Sequence, residues 1–555
     1  MPGNKNAIPT FRDGVFVEGI VTTKILILLI YFLAVLAIGY FTRTHWRSTP
    51  ASYFLADRRL GALVLLATMA ATNFSAFTVF GTSGAGYRDG WSFFPIMGFG
   101  TGFMALSFWL IGRRVWQVGR ERGIITPPEL VQSLYGSRPL GVLFALVMIV
   151  YTVPYLALQP MAAGYALQAI TGLSYRWGSA LVTVIIVLYT LRGGMRAVAW
   201  TDLFQGLLLL GLLTAALAMV AGHHGGFAAA NQKVLALKPE LFSRPGGLGH
   251  YSPGIWFSYM ALWFLCDPMF PQLFQRFFAA RSERAIARMM LFYPLVCTVV
   301  FLPPIAVGVL GHLSFPDLAG KEADRILPMV VNAVAGDGMA ALVAAAGLAA
   351  LMSTMDSQLL TLSSIFTRDI LPAVRRSESV TSIPGRLFVA GLSLAGLILA
   401  WHPPATILDI ATQTFTGLAV LFPTVAFGLY WRRVHPFPAV LSILVGETLL
   451  VCFHLKWVSA APLLPVVWVM LAAFGAYLIA HGFTRLRRGG EPLRPPGWLR
   501  DPCFLMLAGV FLLAMDFWAW GRINPLVAGL PVWIAHFVAL SALQTAIMVF
   551  MVRRA

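Results

Sequence analysis

The sequence predicts an all-α polytopic membrane protein, and three observations carry that expectation. Hydrophobic residues make up 58% of the 555 and charged residues only 11%, giving a mean hydropathy of +0.78; a water-soluble domain of this composition would leave too much apolar surface uncovered. Apolar runs of about 20 residues, each long enough to cross a bilayer's hydrocarbon layer as a helix, recur from Leu26 to the end of the chain. The basic residues are also sided: 28 of the 40 collect in alternate loops once spans are laid on the runs. That placement makes the net charge of +18 a topology signal and argues against a nucleic-acid partner.

Spans are expected at 20–42, 60–86, 90–112, 140–171, 177–191, 197–221, 254–275, 289–312, 339–366, 387–402, 406–431, 436–455, 462–484, 502–521 and 528–552, fifteen in all. The two ends of the chain then face opposite sides. Loops holding Arg43, Arg47, Arg113, Arg114, Arg276, Arg281, Arg485 and Arg494 are cytoplasmic by the positive-inside rule, which puts the N-terminus outside and the C-terminus inside. Residues 1–18 carry Asp13 and Glu18 without an apolar stretch, so the first span is expected to act as its own insertion signal. Cys266, Cys297, Cys452 and Cys503 fall in apolar runs and read as small hydrophobic residues. The longest connection, 222–253, is glycine-rich with little periodicity and reads as an external capping loop. Arg485 to Arg500, with Gly489, Gly490, Pro492, Pro495 and Pro496, reads as a basic linker ahead of two peripheral spans.

Polar residues inside spans are the functional candidates, because burying them in lipid is costly. The segment from Met69 to Thr78 places Thr72, Asn73, Ser75 and Thr78 mid-span, followed by Gly81, Gly84 and Gly86. Such a cluster marks a locally unwound helix with free carbonyls for an ion, or else polar contacts between helices. A second interruption lies between Trp263 and Gln272, where Pro268 and Pro271 each remove a backbone donor beside Asp267. Two broken helices in corresponding positions point to a transporter site; an interfacial or proline-kinked Asp267 is the alternative. No phosphate-cradling loop is present, so ATP drive is not expected, and the ten histidines lack metal-ligand spacing.

Three motifs, in order and on the expected sides, resemble those of the solute:sodium symporter family. They are Leu191-Arg-Gly-Gly-Met-Arg-Ala-Val-Ala-Trp-Thr-Asp-Leu-Phe-Gln205, Gln275-Arg-Phe-Phe-Ala-Ala-Arg-Ser282 and Ala349-Ala-Leu-Met-Ser-Thr-Met-Asp-Ser-Gln-Leu-Leu360. The resemblance covers about residues 20–455 and implies the leucine-transporter fold. Its first inverted five-helix repeat would span 60–221 and its second 254–431, separated by the external loop 222–253. An external segment, 1–19, and a helix with its cytoplasmic loop, 20–59, would precede that core. Accessory helices at 432–484, the linker 485–501 and two terminal helices at 502–555 would follow.

The family's shared sodium site, carried over by motif, would use the carbonyls of Ala71, Phe74 and Ala350 and the hydroxyls of Ser353 and Thr354. Ala350, Ser353 and Thr354 stand at i, i+3 and i+4 on one helical face, and oxygen ligands suit a hard cation. A second sodium held by some members would fall on Asp202, Ser353, Asp356 and Ser357; alternatively Asp202 and Asp356 pair with Arg192 or Arg196 as an inner gate. For substrate, the resemblance points to Asn73, Ser75, Trp263, Asp267 and Gln413. The chain departs from the proline-transporting branch, which has an acidic residue where Asn73 stands, and from sugar-type members, which carry an aromatic near Asp267. No arginine or lysine is expected well inside a core span, so a zwitterionic or neutral organic solute is favoured over a strongly anionic one.

The resemblance thus implies a secondary active transporter rather than an enzyme. It would be an integral protein of a bacterial inner (plasma) membrane, taking a small organic solute inward with sodium by alternating access. Its partners would be the solute, sodium as co-transported ligand and the lipid bilayer, with no cofactor. A proton-coupled carrier on the same fold, with Asp202, Asp267 or Asp356 titrating, is the rival. A membrane sensor without transport is the remote alternative, since such sensors join this fold to a cytoplasmic signalling domain that is not seen after the last span.

Overall fold

The computed structural model describes residues 14–42, 49–374, 383–431, 434–488 and 496–554. Arg43, Arg47, Arg494 and most of the expected external segment 1–19 lie outside these. Among the described residues, twelve helices are long and apolar enough to cross a membrane, and Ala62–Asn73 with Phe77–Phe93 form a further pair bent by 62°. The expected segments at 177–191 and 254–275 fall on shorter pieces, Tyr175–Thr190 and the pair Pro253–Cys266 and Pro271–Ala279. Among the described residues the departures from all-helical architecture are a two-residue antiparallel pair, Leu526–Val527 with Leu530–Pro531, ahead of the last helix, and an isolated parallel bridge between Leu60 and Ala280.

Local chemistry explains where helices turn. In the stretch Tyr175–His223 the chain kinks at Gly194, whose φ of 67° suits a residue without Cβ, and this joins two helices of different direction. Gly81, Gly84 and Gly86, read from sequence as part of the unwinding, lie beyond the break on renewed helix. Their role is close approach: a Cβ on Gly86 would sit 2.5 Å from the Ile305 carbonyl oxygen, and one on Gly308 would sit 2.1 Å from that of Ser83. Small residues here let the helices Thr82–Asp89 and Glu283–Leu310 touch backbone to backbone.

The helix Asp337–Ile365 is buried for most of its length and packs against Arg138–Thr171, Tyr175–His223 and Ala62–Asn73. Peripheral helices turn apolar side chains outward; Ile25, Leu26, Leu29, Ile30 and Leu33 on the first one are all about half exposed, as a hydrocarbon-facing surface requires. Both breaks therefore lie in the interior.

Three expectations about the edges are corrected. The loop at 222–253 holds a helix, Phe227–Leu237. The helix Pro465–Arg488 runs past residue 484 into the expected linker. The last two helices are anchored rather than peripheral: Arg244 of the 222–253 connection is buried with its Nη2 at 2.5 Å from Asp516 Oδ2, its guanidinium lies over Trp520 and Trp533, and Gln544 donates to the Gly102 carbonyl at 2.8 Å. Burial of a charge forces this anchoring, because an arginine removed from water needs a carboxylate and polarizable neighbours.

Candidate functional site

The first broken helix ends at Asn73 and resumes at Phe77 without proline or glycine between them. Side chains take up the donors that the break frees: the Ala76 N–H donates to Gln159 Oε1 at 3.1 Å and the Phe77 N–H to Ser75 Oγ at 3.1 Å. The second break has a covalent cause. Pro268 and Pro271 interrupt the ladder, Phe270 takes an extended conformation, and its N–H closes a turn onto the Asp267 carbonyl at 3.2 Å.

At the end of helix Ala62–Asn73 the main-chain carbonyls meet helix Asp337–Ile365. Ser353 donates to the Ala71 carbonyl at 2.8 Å and to Ala350 at 3.0 Å. Thr354 donates to the Thr72 carbonyl at 2.9 Å and to Ala350 at 3.2 Å. Ala71, Ala350, Ser353 and Thr354 are thus gathered into one buried knot of neutral oxygens, to which Thr72 adds a carbonyl that was not anticipated. Phe74 instead follows the break, and its ring packs on Tyr293 and Phe301.

One helical turn away stands a charged cluster. The sequence places Arg276 in a cytoplasmic loop, but helix Pro271–Ala279 carries it inward and buries it completely. Its Nη2 donates to Asp202 Oδ2 at 2.9 Å and Ser357 Oγ at 2.7 Å, its Nε to Thr68 Oγ1 at 2.8 Å, and its Nη1 to the Gln272 carbonyl at 2.8 Å. Thr68 and Thr72 in turn donate to Asp202 Oδ2 at 2.5 and 3.1 Å. The cluster closes because a buried guanidinium must have its donors and its charge satisfied together. Asp356 lies beside it, accepting from Tyr189 at 2.9 Å and from Ser357 at 3.2 Å. The expectation that no basic side chain enters the core is therefore overturned. Arg196, one of two arginines suggested as gate partners, is exposed instead, and Arg192 has no described side chain.

Between the breaks, Asn73 donates to Tyr293 Oη at 2.8 Å and to Asp267 Oδ2 at 3.4 Å. The Cys266 thiol donates to Asp267 Oδ1 at 3.1 Å, so this cysteine is more than a small hydrophobic residue. Trp263 packs against Phe77, Tyr259 and Phe415. Ser75, fully buried, sits beside Tyr155. Four of the five substrate candidates therefore line one region. Gln413 does not: it is exposed on the far face of its helix, Ile407–Ala419, and Phe415, about 200° further round, faces the breaks.

Sequence reading missed Arg276, Thr68, Gln159 and Tyr293. Thr68 and Thr72 at i and i+4 were a usable signal, as was a lone glutamine beside Pro160 in an apolar run.

A family model described as the sodium:solute symporter family matches residues 53–446. The chain is 28% identical over 461 residues to the sodium/pantothenate symporter of Escherichia coli (strain K12), covering 81% of this chain and 95% of that protein. It is 27% identical over 464 residues to the high-affinity proline transporter PutP of Bacillus subtilis (strain 168), with the same coverage, 81% and 95%. Among solved structures it resembles a Na+-coupled sialic acid symporter in a substrate-bound outward-open state, with a TM-score of 0.69 at 18% identity, over 85% of this chain and 98% of the other. It also resembles Mhp1, a nucleobase-cation-symport-1 family transporter, with a TM-score of 0.56 at 15% identity, over 79% and 96%.

Proposed function

This chain belongs to the sodium:solute symporter family, and we propose that it carries a small organic solute inward with sodium by alternating access. Sodium would sit at the Ala71, Phe74, Ala350, Ser353 and Thr354 locus, with the Thr72 carbonyl within reach. The observation that carries this reading is the pair of hydroxyls on Ser353 and Thr354, reaching across to the carbonyls of Ala71 and Thr72 where the first broken helix ends. Only oxygen atoms meet there, which is the donor set a hard monovalent cation takes.

Coupling follows from adjacency. Thr72 presents its carbonyl to the oxygen knot, and the next residue, Asn73, presents its amide to Asp267. A cation that ties Ala62–Asn73 to Asp337–Ile365 also positions Asn73 for the solute, so each ligand favours the conformation the other binds. Asn73, Ser75, Trp263 and Asp267 are the solute contacts in this reading. The buried Arg276 supports one sodium per cycle, because its guanidinium stands between Asp202 and Ser357, two of the groups suggested for a second ion.

The membrane arrangement in this proposal has fifteen spans and inverted repeats at 60–221 and 254–431. The arginine-rich loops and the C-terminus lie in the cytoplasm, and the N-terminus lies outside.

The test is thermal stability of the purified protein in detergent, titrating sodium against potassium at constant ionic strength. A saturable, sodium-specific rise is expected, about 2–3 kcal/mol at a hundredfold excess over the dissociation constant. It should be absent in Ser353→Ala/Thr354→Ala. Asp356, which among the described residues accepts its hydrogen bonds from the neutral hydroxyls of Tyr189 and Ser357, supports the proton-coupled reading; a response to pH but not sodium, abolished by Asp356→Asn, would replace the sodium reading.

A further inference from the structure

Asp267 is a buried carboxylate with no cation beside it; Asp356 and Asp369 also form no ion pair among the described residues, but Arg276 and Arg368 lie close enough to act on them electrostatically. Asp202, Asp324 and Asp516 are as deeply buried, and each holds an arginine, at 2.9, 3.1 and 2.5 Å. Asp267 is 2% exposed, and among the described residues no lysine, arginine or histidine forms an ion pair with it. Its contacts are one amide, from Asn73, and one thiol, from Cys266. A carboxylate held away from water at the centre of a membrane protein needs either a proton or a positive partner, and a charged solute is a partner that can come and go.

Aromatic rings surround the same break. Phe415 stands at 4.7 Å from Phe270, 4.8 Å from Tyr155, 5.7 Å from Trp263 and 6.3 Å from Phe77, centroid to centroid. Phe270 is three residues from Asp267, and Phe77 is four residues from Asn73, so both breaks contribute to the ring cluster and to the carboxylate site. Ring faces attract a cation and accept an apolar body. One donor is unused: the Trp263 indole Nε1 is buried without a hydrogen-bond partner.

We propose that the transported solute carries an ammonium group that pairs with Asp267, with an apolar body among Phe77, Trp263, Phe270 and Phe415 and an acceptor atom for the Trp263 indole. This rests on the reading of the protein as a solute carrier and names the substrate class of that same site. The ammonium supplies the countercharge that the protein's own side chains do not. A purely anionic solute would meet Asp267 with like charge, which disfavours it.

The experiment uses the full chain in proteoliposomes under an inward sodium gradient. The probes are matched pairs: L-proline with cyclopentanecarboxylate, L-phenylalanine with 3-phenylpropionate, and choline with 3,3-dimethylbutanol, together with pantothenate as an amine-free anion. Sodium-driven uptake of at least one amine-bearing member is expected, reduced at least tenfold in its amine-free counterpart. Asp267→Asn should abolish it and Asp267→Glu should retain part, while the sodium-specific thermal shift survives in both. Uptake of pantothenate or of an amine-free counterpart at a comparable rate overturns the proposal, as does amine uptake unchanged in Asp267→Asn. Silence of every amine in a protein that keeps its sodium shift also overturns it. If Asp267→Asn does not fold, the matched pairs on the wild type decide alone. Absence of the sodium shift in the wild type itself refutes the sodium-coupled reading instead, so the two failures are distinguishable.

Discussion

Two clusters one turn apart on the same helix pair meet similar demands by opposite means. Around Ser353 and Thr354 the contacts are neutral hydroxyls and carbonyls. Around Ser357 and Thr68 a full guanidinium and a full carboxylate are sealed together with no water-facing edge. Thr72 joins them, giving its carbonyl to the first and its hydroxyl to the second. Neutral oxygens lose little on burial and can exchange a mobile ion, whereas a buried ion pair is costly to open and tolerates no missing partner. In the proposed cycle the first cluster takes up and releases sodium, and the second is a permanent ion pair that ties four helices together.

The largest expected effect breaks the charged cluster. Arg276→Ala leaves Asp202 buried without its counterion, a change that costs about 3–5 kcal/mol, and the expected outcome is loss of folded protein in detergent. Asp202→Asn/Arg276→Gln removes both charges and should recover much of that loss. Thermal unfolding of Asp202→Asn, of Arg276→Gln and of the double variant measures the coupling. Losses that simply add would show that the two groups act independently and that the contrast between the clusters is false.

A smaller effect sharpens the contrast at the shared residue. Thr72→Val removes the hydroxyl that reaches Asp202 and Ser357 but keeps the carbonyl that meets Thr354. Stability in potassium should fall by about 1 kcal/mol, the usual net worth of one buried hydrogen bond, while the sodium-specific increment stays. If the sodium increment disappears and the baseline does not move, the roles assigned to the two clusters are reversed.

The oxygen knot was legible in the sequence and the charged cluster only half so, for a physical reason. Ser353, Thr354 and Asp202 are named by the motifs that resemble the solute:sodium symporter family, whereas Asp267 stands out because polar atoms are rare inside apolar runs. Arg276 does not, because an arginine four residues after the proline pair reads as the end of a span; only the restarted helix Pro271–Ala279 turns it inward. Gln413 failed for want of helical phase: Thr412, Gln413, Thr414 and Thr416 are polar around the whole helix, so sequence offers no sign of which one faces the breaks. The fold was read from hydropathy alone in its long spans, but the anchoring of the last two helices was not, since it depends on Arg244, which lies in a glycine-rich loop without periodicity.

The mildest test lies at the far end of the same broken helix, where charge meets water. Asp89 ends helix Thr82–Asp89, is itself buried, and stands 3.2 Å from Nδ1 of the largely exposed His250 on the 222–253 connection. Asp89, as hydrogen-bond acceptor and as charge, raises the His250 pKa above its ordinary 6.5; Asp409 adds to this, while partial burial and Arg88 oppose it. A histidine whose folded pKa is raised stabilises the fold fully below its unfolded pKa and loses that contribution as pH rises through the folded value. Thermal stability should therefore decline slightly as pH is raised from about 6 to about 8, and His250→Gln should remove that slope without changing the sodium response. The contribution should stay well under about 1 kcal/mol, as screened surface pairs do. A slope as steep as that expected from opening the Arg276 cluster would mean that the 222–253 connection is locked by a charge pair of the buried kind, and that the difference between a sealed and a wet ion pair does not govern this protein.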